Sequence, residues 1–278
     1  VSGIGVLLAA VSALVWGSAD YCGGRASQRA SAIGVTVASQ LFGIPVLILS
    51  LFLLPGTPQP MDFAWGAAAG AAGFLGIVLL YESLSTGAMA VAAPITAVSG
   101  ALVPMSVGLA LGETPTTLAL IGVGCAIVAI ALVSLSPGQG GRATPRVVLL
   151  ALASGLFFGI FFALIAQTSD GSGMWPLAAV RLVSINLGLV LVVGRNVSLR
   201  TPWPTLAWVA VAGMGDIAAN ALYLLAAREG LLSVIAPIAA LYPVSTVLLA
   251  FGLDKERVRP IQVAGLGLAA TALVLTTI

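Results

Sequence analysis

A set of residues recurs 143 positions apart, and a chain built this way is expected to fold as two copies of one unit. Gly87, Val91, Ala93, Pro94, Ile95 and Ala97 align with Gly230, Val234, Ala236, Pro237, Ile238 and Ala240. The same offset pairs Ala64 and Trp65 with Ala207 and Trp208, Gly70 with Gly213, and Glu113 with Glu256. It also pairs Gly122 and Gly124 with Gly265 and Gly267. Near the start the offset is 142, where Ser12, Trp16 and Gly17 meet Ser154, Phe158 and Gly159. A cavity between such copies is a natural place for a ligand.

Both copies are built for lipid. Of 278 residues 60% are hydrophobic and 7% charged, with mean hydropathy +1.15, whereas a soluble domain carries about 25% charged residues. Ten stretches reach the length of about 20 mainly apolar residues that a spanning helix needs. They run over 3–21, 32–53, 64–84, 90–111, 116–135, 146–167, 176–193, 205–226, 232–252 and 260–278. Pro115, Pro145, Pro176, Pro204 and Pro260 stand at the starts of five of them, where a missing N–H costs nothing. The expected fold is an all-α integral membrane protein of ten transmembrane helices. Residues 1–135 form the first five-helix repeat, 136–145 a linker, and 146–278 the second repeat. The first apolar stretch continues at full spanning length, which argues against a cleavable signal.

Basic residues set the orientation. Arg25, Arg29, Arg142, Arg146, Arg195, Arg200, Lys255, Arg257 and Arg259 fall on one side of this ten-span arrangement, against Arg228 alone on the other. Because basic loops stay in the cytoplasm, both termini are expected on the non-cytoplasmic side of the cell inner membrane. Five is an odd number of spans, so the two copies enter the membrane in opposite directions, as inverted repeats. The partner is the lipid bilayer, and a monomer is plausible.

Several chemistries are excluded or disfavoured. With no His and only Cys22 and Cys125, neither a metal site nor a disulfide framework is expected. Lys255 is the one lysine and follows no glycine-rich loop, so ATP hydrolysis is not expected. A net charge of +2 without a basic run argues against nucleic acid. No cofactor and no catalytic residue is expected. Asn196-Val-Ser is a formal glycosylation sequon, but its loop is expected in the cytoplasm.

Polar residues at depth are the candidates for a small-molecule site, because a charge in hydrocarbon costs about 3 kcal/mol or more. Asp216, Asn220 and Tyr223 share one face of span 8, and Arg181 of span 7 has the length to reach them. One reading has Arg181 and Asp216 contacting the carboxylate and amine of a zwitterionic substrate. The other has them as a mutual salt bridge, and a weaker third makes Asp216 a proton-coupling carboxylate. Asp20 and Glu82 read as interfacial or gate residues. Trp16 and its counterpart Phe158 are expected as facing walls of an apolar pocket, with Tyr81, Thr96, Ser99 and Tyr242 adding hydrogen-bonding groups. Spans 4 and 9 carry paired prolines, Pro94 with Pro104 and Pro237 with Pro243, whose matched kinks suit gating hinges.

The duplicated unit, the Gly-x3-Val-x-Ala-Pro stretch opening spans 4 and 9, the Glu closing that hairpin, and the Gly-x-Gly of spans 5 and 10 together resemble the drug/metabolite transporter superfamily, in its ten-helix EamA-like branch. The likeness covers the whole chain and is nearest to exporters of amino acids, including aromatic ones. It implies export or exchange of small metabolites and a cavity lined by spans 1, 3, 4, 6, 8 and 9. The expected function is a secondary transporter exporting amino acids or similar metabolites by alternating access. A multidrug carrier or nucleotide-sugar carrier of the same fold is one alternative, although sugar nucleotides would want more cavity cations than Arg181. A passive channel is another, although no span shows a continuous polar stripe.

Overall fold

The computed structural model describes residues 2–27, 29–85, 89–134, 144–254 and 259–277. Glu256, nearly all of the expected linker, and the side chains of Tyr81 and Pro94 lie outside the described residues. Among the described residues the chain is all helix and loop. The helices are α1 (Gly3–Ser27), α2 (Ala32–Phe42), α3 (Ile44–Leu53), α4 (Pro60–Ser85), α5 (Met89–Ala110) and α6 (Thr117–Ser134). They continue with α7 (Pro145–Ile165), α8 (Trp175–Gly194), α9 (Trp203–Glu229), α10 (Leu232–Ala239), α11 (Pro243–Asp254) and α12 (Pro260–Thr277). Among the described residues, seven helical stretches are long and apolar enough to cross a membrane.

Local sequence sets these boundaries. Prolines open α4, α7, α11 and α12, where the lost N–H has no helical partner. Thr144 caps α7 by accepting from the Val147 N–H, and Ser31 caps α2 by accepting from Gly34. Apolar residues cover both sides of each rod, as they must in lipid. On α1 the exposed stripe is Ile4, Leu7, Val11 and Leu14, while Val6, Ala9 and Ala13 face inward.

Packing exchanges elements between the halves. α1 lies along α9, α7 along α4, and α6 along α12. The Ser12 hydroxyl donates to the Ala219 carbonyl and the Ser154 hydroxyl to the Gly76 carbonyl, both at 2.8 Å. These bonds are images of each other under the repeat, since Ser12 matches Ser154 and Gly76 matches Ala219. Gly70 and Gly213 repeat the pattern. A Cβ on Gly70 would press on the Val180 backbone of α8, and one on Gly213 on the Ser39 backbone of α2. Likewise Gly122 faces Thr276 while Gly265 faces Val133. Without water to drive association, such small-residue contacts and serine bonds hold the helices together. α1 and α9 run antiparallel, since Gly5 meets Glu229, Ser12 meets Ala219 and Ala19 meets Gly215.

The matched proline kinks expected of spans 4 and 9 differ between the halves. The α5 backbone is one helix through Pro94 and Pro104. Its counterpart is divided: Pro237 lies inside α10, and Pro243 is the first residue of α11. Pro237 and Pro243 are closer together than Pro94 and Pro104, so the turn between them loses more of its i→i−4 ladder. Three-residue turns replace it, with Leu241 N donating to Ile238 O and Val244 N to Leu241 O. At the α5–α6 end, the Glu113 carboxylate accepts from the Leu232 and Ser233 N–H groups, each at 2.8 Å, and so caps α10.

The glycine contacts generate a paired test. Gly213→Ala places a methyl against the Ser39 carbonyl and should cost about 1–3 kcal/mol through overpacking. Gly267→Ala meets nothing within 4 Å and should leave the melting temperature in detergent unchanged. Equal melting of the two variants would contradict this packing.

Candidate functional site

Where α1 crosses α9, the sequence puts polar groups into an otherwise apolar seam. Arg181 of α8 reaches across so that Nη2 lies 2.6 Å from Asp216 Oδ2. Its Nη1 donates to Gln40 Oε1 of α2 at 2.9 Å, and the Ser184 hydroxyl donates to the same oxygen at 2.5 Å. The other Asp216 oxygen accepts from Trp16 Nε1 at 3.2 Å and Asn220 Nδ2 at 3.1 Å. One carboxylate therefore ties together α1, α8 and α9. The guanidinium is nearly enclosed, its side chain 6% exposed, while that of Asp216 is 40% exposed. Arg181 Nε and Asn220 Oδ1 are buried without a hydrogen-bond partner.

An aromatic cluster forms one wall. The Trp16 ring meets Phe162 edge-on at 5.3 Å and lies 6.0 Å from Tyr223. Tyr223 is fully buried, and its hydroxyl donates to the Phe162 carbonyl at 3.2 Å. Trp16, Arg181, Asp216, Asn220 and Tyr223, all singled out from sequence, thus come together. Tyr242 stands half-buried at the break between α10 and α11.

The other sequence candidates go elsewhere. Phe158 does not face Trp16; its ring rests against Gly76 of α4. The facing ring is Phe162, one turn further along α7. The reason is the exchange of neighbours: Trp16 packs toward α9, so its repeat-mate Phe158 packs toward α4. Thr96 is buried and donates to the Ala151 carbonyl at 3.1 Å, joining α5 to α7. The Ser99 hydroxyl turns back to the Ile95 carbonyl at 2.6 Å. Tyr81 has no described side chain.

The two seams are alike in backbone and unlike in chemistry. The repeat position of Asp216 is Gly73 and that of Asn220 is Ile77. At Gly73 the space of a side chain is taken by the Phe161 ring, 3.1 Å from where a Cβ would stand. One seam is filled with rings, and the other carries charge.

Both ends of the bundle carry further polar groups. Asp62, at the start of α4, accepts from the Gln59 N–H, the Ser169 N–H and the Ser169 hydroxyl at 2.7–2.8 Å. Arg228 Nη2 donates to Ser172 Oγ at 2.8 Å and to the Gly173 carbonyl at 2.9 Å. Together they fasten the 166–174 loop against 54–59. At the opposite end Glu82 and Arg146 form an exposed ion pair of 2.9 Å. A cavity of about 170 Å³ opens there between α2, α4 and α8, beside Glu82 and Arg195. Sequence reasoning passed over Gln40, Ser184, Asp62 and Phe162. Gln40, a lone amide in an apolar span, was the readable signal.

Comparison with known proteins gives the class: the EamA-like transporter family model matches residues 3–135 and again 145–278. The chain belongs to that family, a multi-pass membrane protein whose relatives are transporters rather than enzymes. A solved structure described only as "Crystal structure of protein" shares the fold, with TM-score 0.80 and 15% identity, covering 99% of this chain and 98% of that one. No curated protein matches.

Asp216→Ala strands a buried guanidinium. Breaking such a pair costs about 3–5 kcal/mol when fully enclosed, so with Asp216 part-exposed the loss should lie near the lower bound. The Asp216→Ala, Arg181→Ala double variant should recover part of it in a thermal melt. Additive losses would mean the ion pair is not coupled.

Proposed function

We propose that this protein is a secondary transporter that exports amino acids or similar small metabolites across the cell inner membrane by alternating access. Seven long helices, with shorter apolar ones over 95–110, 117–133 and 232–245, support ten spans in two units split near the 136–145 linker. The antiparallel pairing of each unit's first helix with the other's third supports inverted units. The observation that carries the reading is the exchanged pair of serine bonds, Ser12 to Ala219 and Ser154 to Gly76. Two related seams of this kind give the bundle equivalent ways to open at either face.

The residues proposed to contact cargo are Trp16, Asp216, Asn220 and Tyr242, with Phe162 added and Tyr223 as support. Pro237 and Pro243, flanking the break in span 9, are the proposed hinge. Arg181 is proposed as the residue that positions Asp216, because its two terminal nitrogens are already taken. Nine basic residues on one side support both termini lying outside the cytoplasm.

Purified protein in liposomes should show saturable counterflow of radiolabelled phenylalanine or another amino acid. Flux that rises linearly with concentration, with no counterflow, would point to a channel and defeat the carrier reading. Single cysteines near Arg25 and Arg195 should be labelled from the cytoplasmic side, and ones near Thr57 and Gly171 from the other. A mixed pattern would end the inverted arrangement.

A further inference from the structure

The cavity of about 170 Å³ between α2, α4 and α8 has walls of one kind and a rim of another. Its walls are Ile33 of α2 with Phe74 and Val78 of α4. Thr36 lines it too, but its hydroxyl is spent on the Ala32 carbonyl at 2.9 Å. At the rim stand Ser31, Glu82 and Arg195. The Ser31 side chain caps α2, and Glu82 is neutralised by Arg146 at 2.9 Å. Arg195 is exposed, and its guanidinium makes no ion pair or hydrogen bond among the described residues.

Local structure fixes that cation at the rim. α8 ends in a closed turn with Asn196 at φ +50°. There the Asn196 N–H donates to the Val193 carbonyl at 3.3 Å and the Val197 N–H to the Val192 carbonyl at 3.0 Å. Arg195, the residue before it, is thereby held at the C-terminus of α8, where a cation is favoured. The following loop lies against α2, since a Cβ on Gly34 would stand 2.8 Å from the Ser198 carbonyl oxygen. Arg200 is thus brought to the same end, again with no ion pair among the described residues. The duplicated backbone does not require this charge. By the 143-residue offset Arg195 matches Phe52 and Glu82 matches Leu225, while Phe74 and Val78 match Ile217 and Ala221. The wall positions are apolar in both halves, and only one half adds charge at the rim.

An apolar hollow between membrane helices, with a cation at its edge, is complementary to a molecule that joins an apolar chain to an anionic head. Free phosphate would gain nothing from Phe74 and Val78, and an uncharged lipid would leave the guanidinium unmatched. We propose that this cavity is a binding site for an anionic phospholipid, with its phosphodiester on Arg195 and the first part of one acyl chain against Ile33, Phe74 and Val78. Guanidinium is the side chain best suited to a phosphate, which it meets through paired N–H groups. Thr36 lies one turn from Gln40, whose amide joins α2 to Arg181 of α8, so the lipid braces a helix pair that the buried network also holds. The site needs membrane residence and is independent of the carrier reading.

The test takes the full chain in a mild detergent and titrates it with phosphatidylglycerol, phosphatidylcholine or inorganic phosphate. Bound lipid is counted by native mass spectrometry, and stability is followed by thermal melting. Phosphatidylglycerol should fill one saturable site and raise the melting temperature, and phosphatidylcholine should bind there several-fold more weakly. Arg195→Gln should weaken that site about fivefold, the worth of one basic residue at an anionic surface. Val78→Phe, which narrows the cavity without changing charge, should weaken it as well. Arg200→Gln makes the same change of charge outside the cavity and should leave the site intact. Equal losses from Arg195→Gln and Arg200→Gln would mean diffuse attraction to a basic surface and overturn the proposal, as would undiminished binding by Arg195→Gln. Equal affinity for the two lipids would also overturn it. Inorganic phosphate that displaces the lipid and stabilises the protein equally would make the site one for free phosphate and end the lipid assignment.

Discussion

Each half of this protein is held by a helix of the other, α1 lying along α9 and α7 along α4. The Ser12 and Ser154 hydroxyls cross that seam to carbonyls on α9 and α4, and Gly70 and Gly213 let neighbouring backbones approach closely behind it. In lipid there is no solvent to push apolar surfaces together, so this contact geometry does the work that hydrophobic burial does in water. Removing the small residues would remove the reason for the helices to choose these partners over lipid.

The duplicated backbone then carries unlike side chains. On the α4–α7 side, Gly73 and Gly76 leave room that Phe161 and Phe158 fill. On the α1–α9 side, Asp216 stands at the position of Gly73 and draws in Arg181, Trp16 and Asn220. Inserting an ion pair there is expensive, and it is stable because nearly every partner is satisfied. The exceptions among the described residues are Arg181 Nε and Asn220 Oδ1. A fold that buried these charges only for stability would do better with leucine.

The two ends differ as well. Asp62, Ser169, Ser172 and Arg228 bind the loops at one end into a network of short bonds, and Glu113 caps α10 beside it. At the other end the Glu82–Arg146 pair is exposed, and a small cavity lies beside Glu82 and Arg195.

Much of this was legible without coordinates. Membrane residence, duplication and the family likeness follow from patterns along the chain, hydropathy and a constant offset; that Arg181 pairs with Asp216 is one of several readings, and the packing of α8 against α9 decides it. What the chain alone could not decide is which helix each residue would meet. Phe158 lost its place opposite Trp16 to Phe162, and Thr96 and Ser99 turned into packing groups, because periodicity gives a helix's face but not its neighbour. Gln40 stands out as a lone amide in an apolar span, but its partner Arg181 is fixed only once α2 lies against α8. Local composition determined what could enter the membrane, and only the packing of the two halves against each other determined where the charges would be shared.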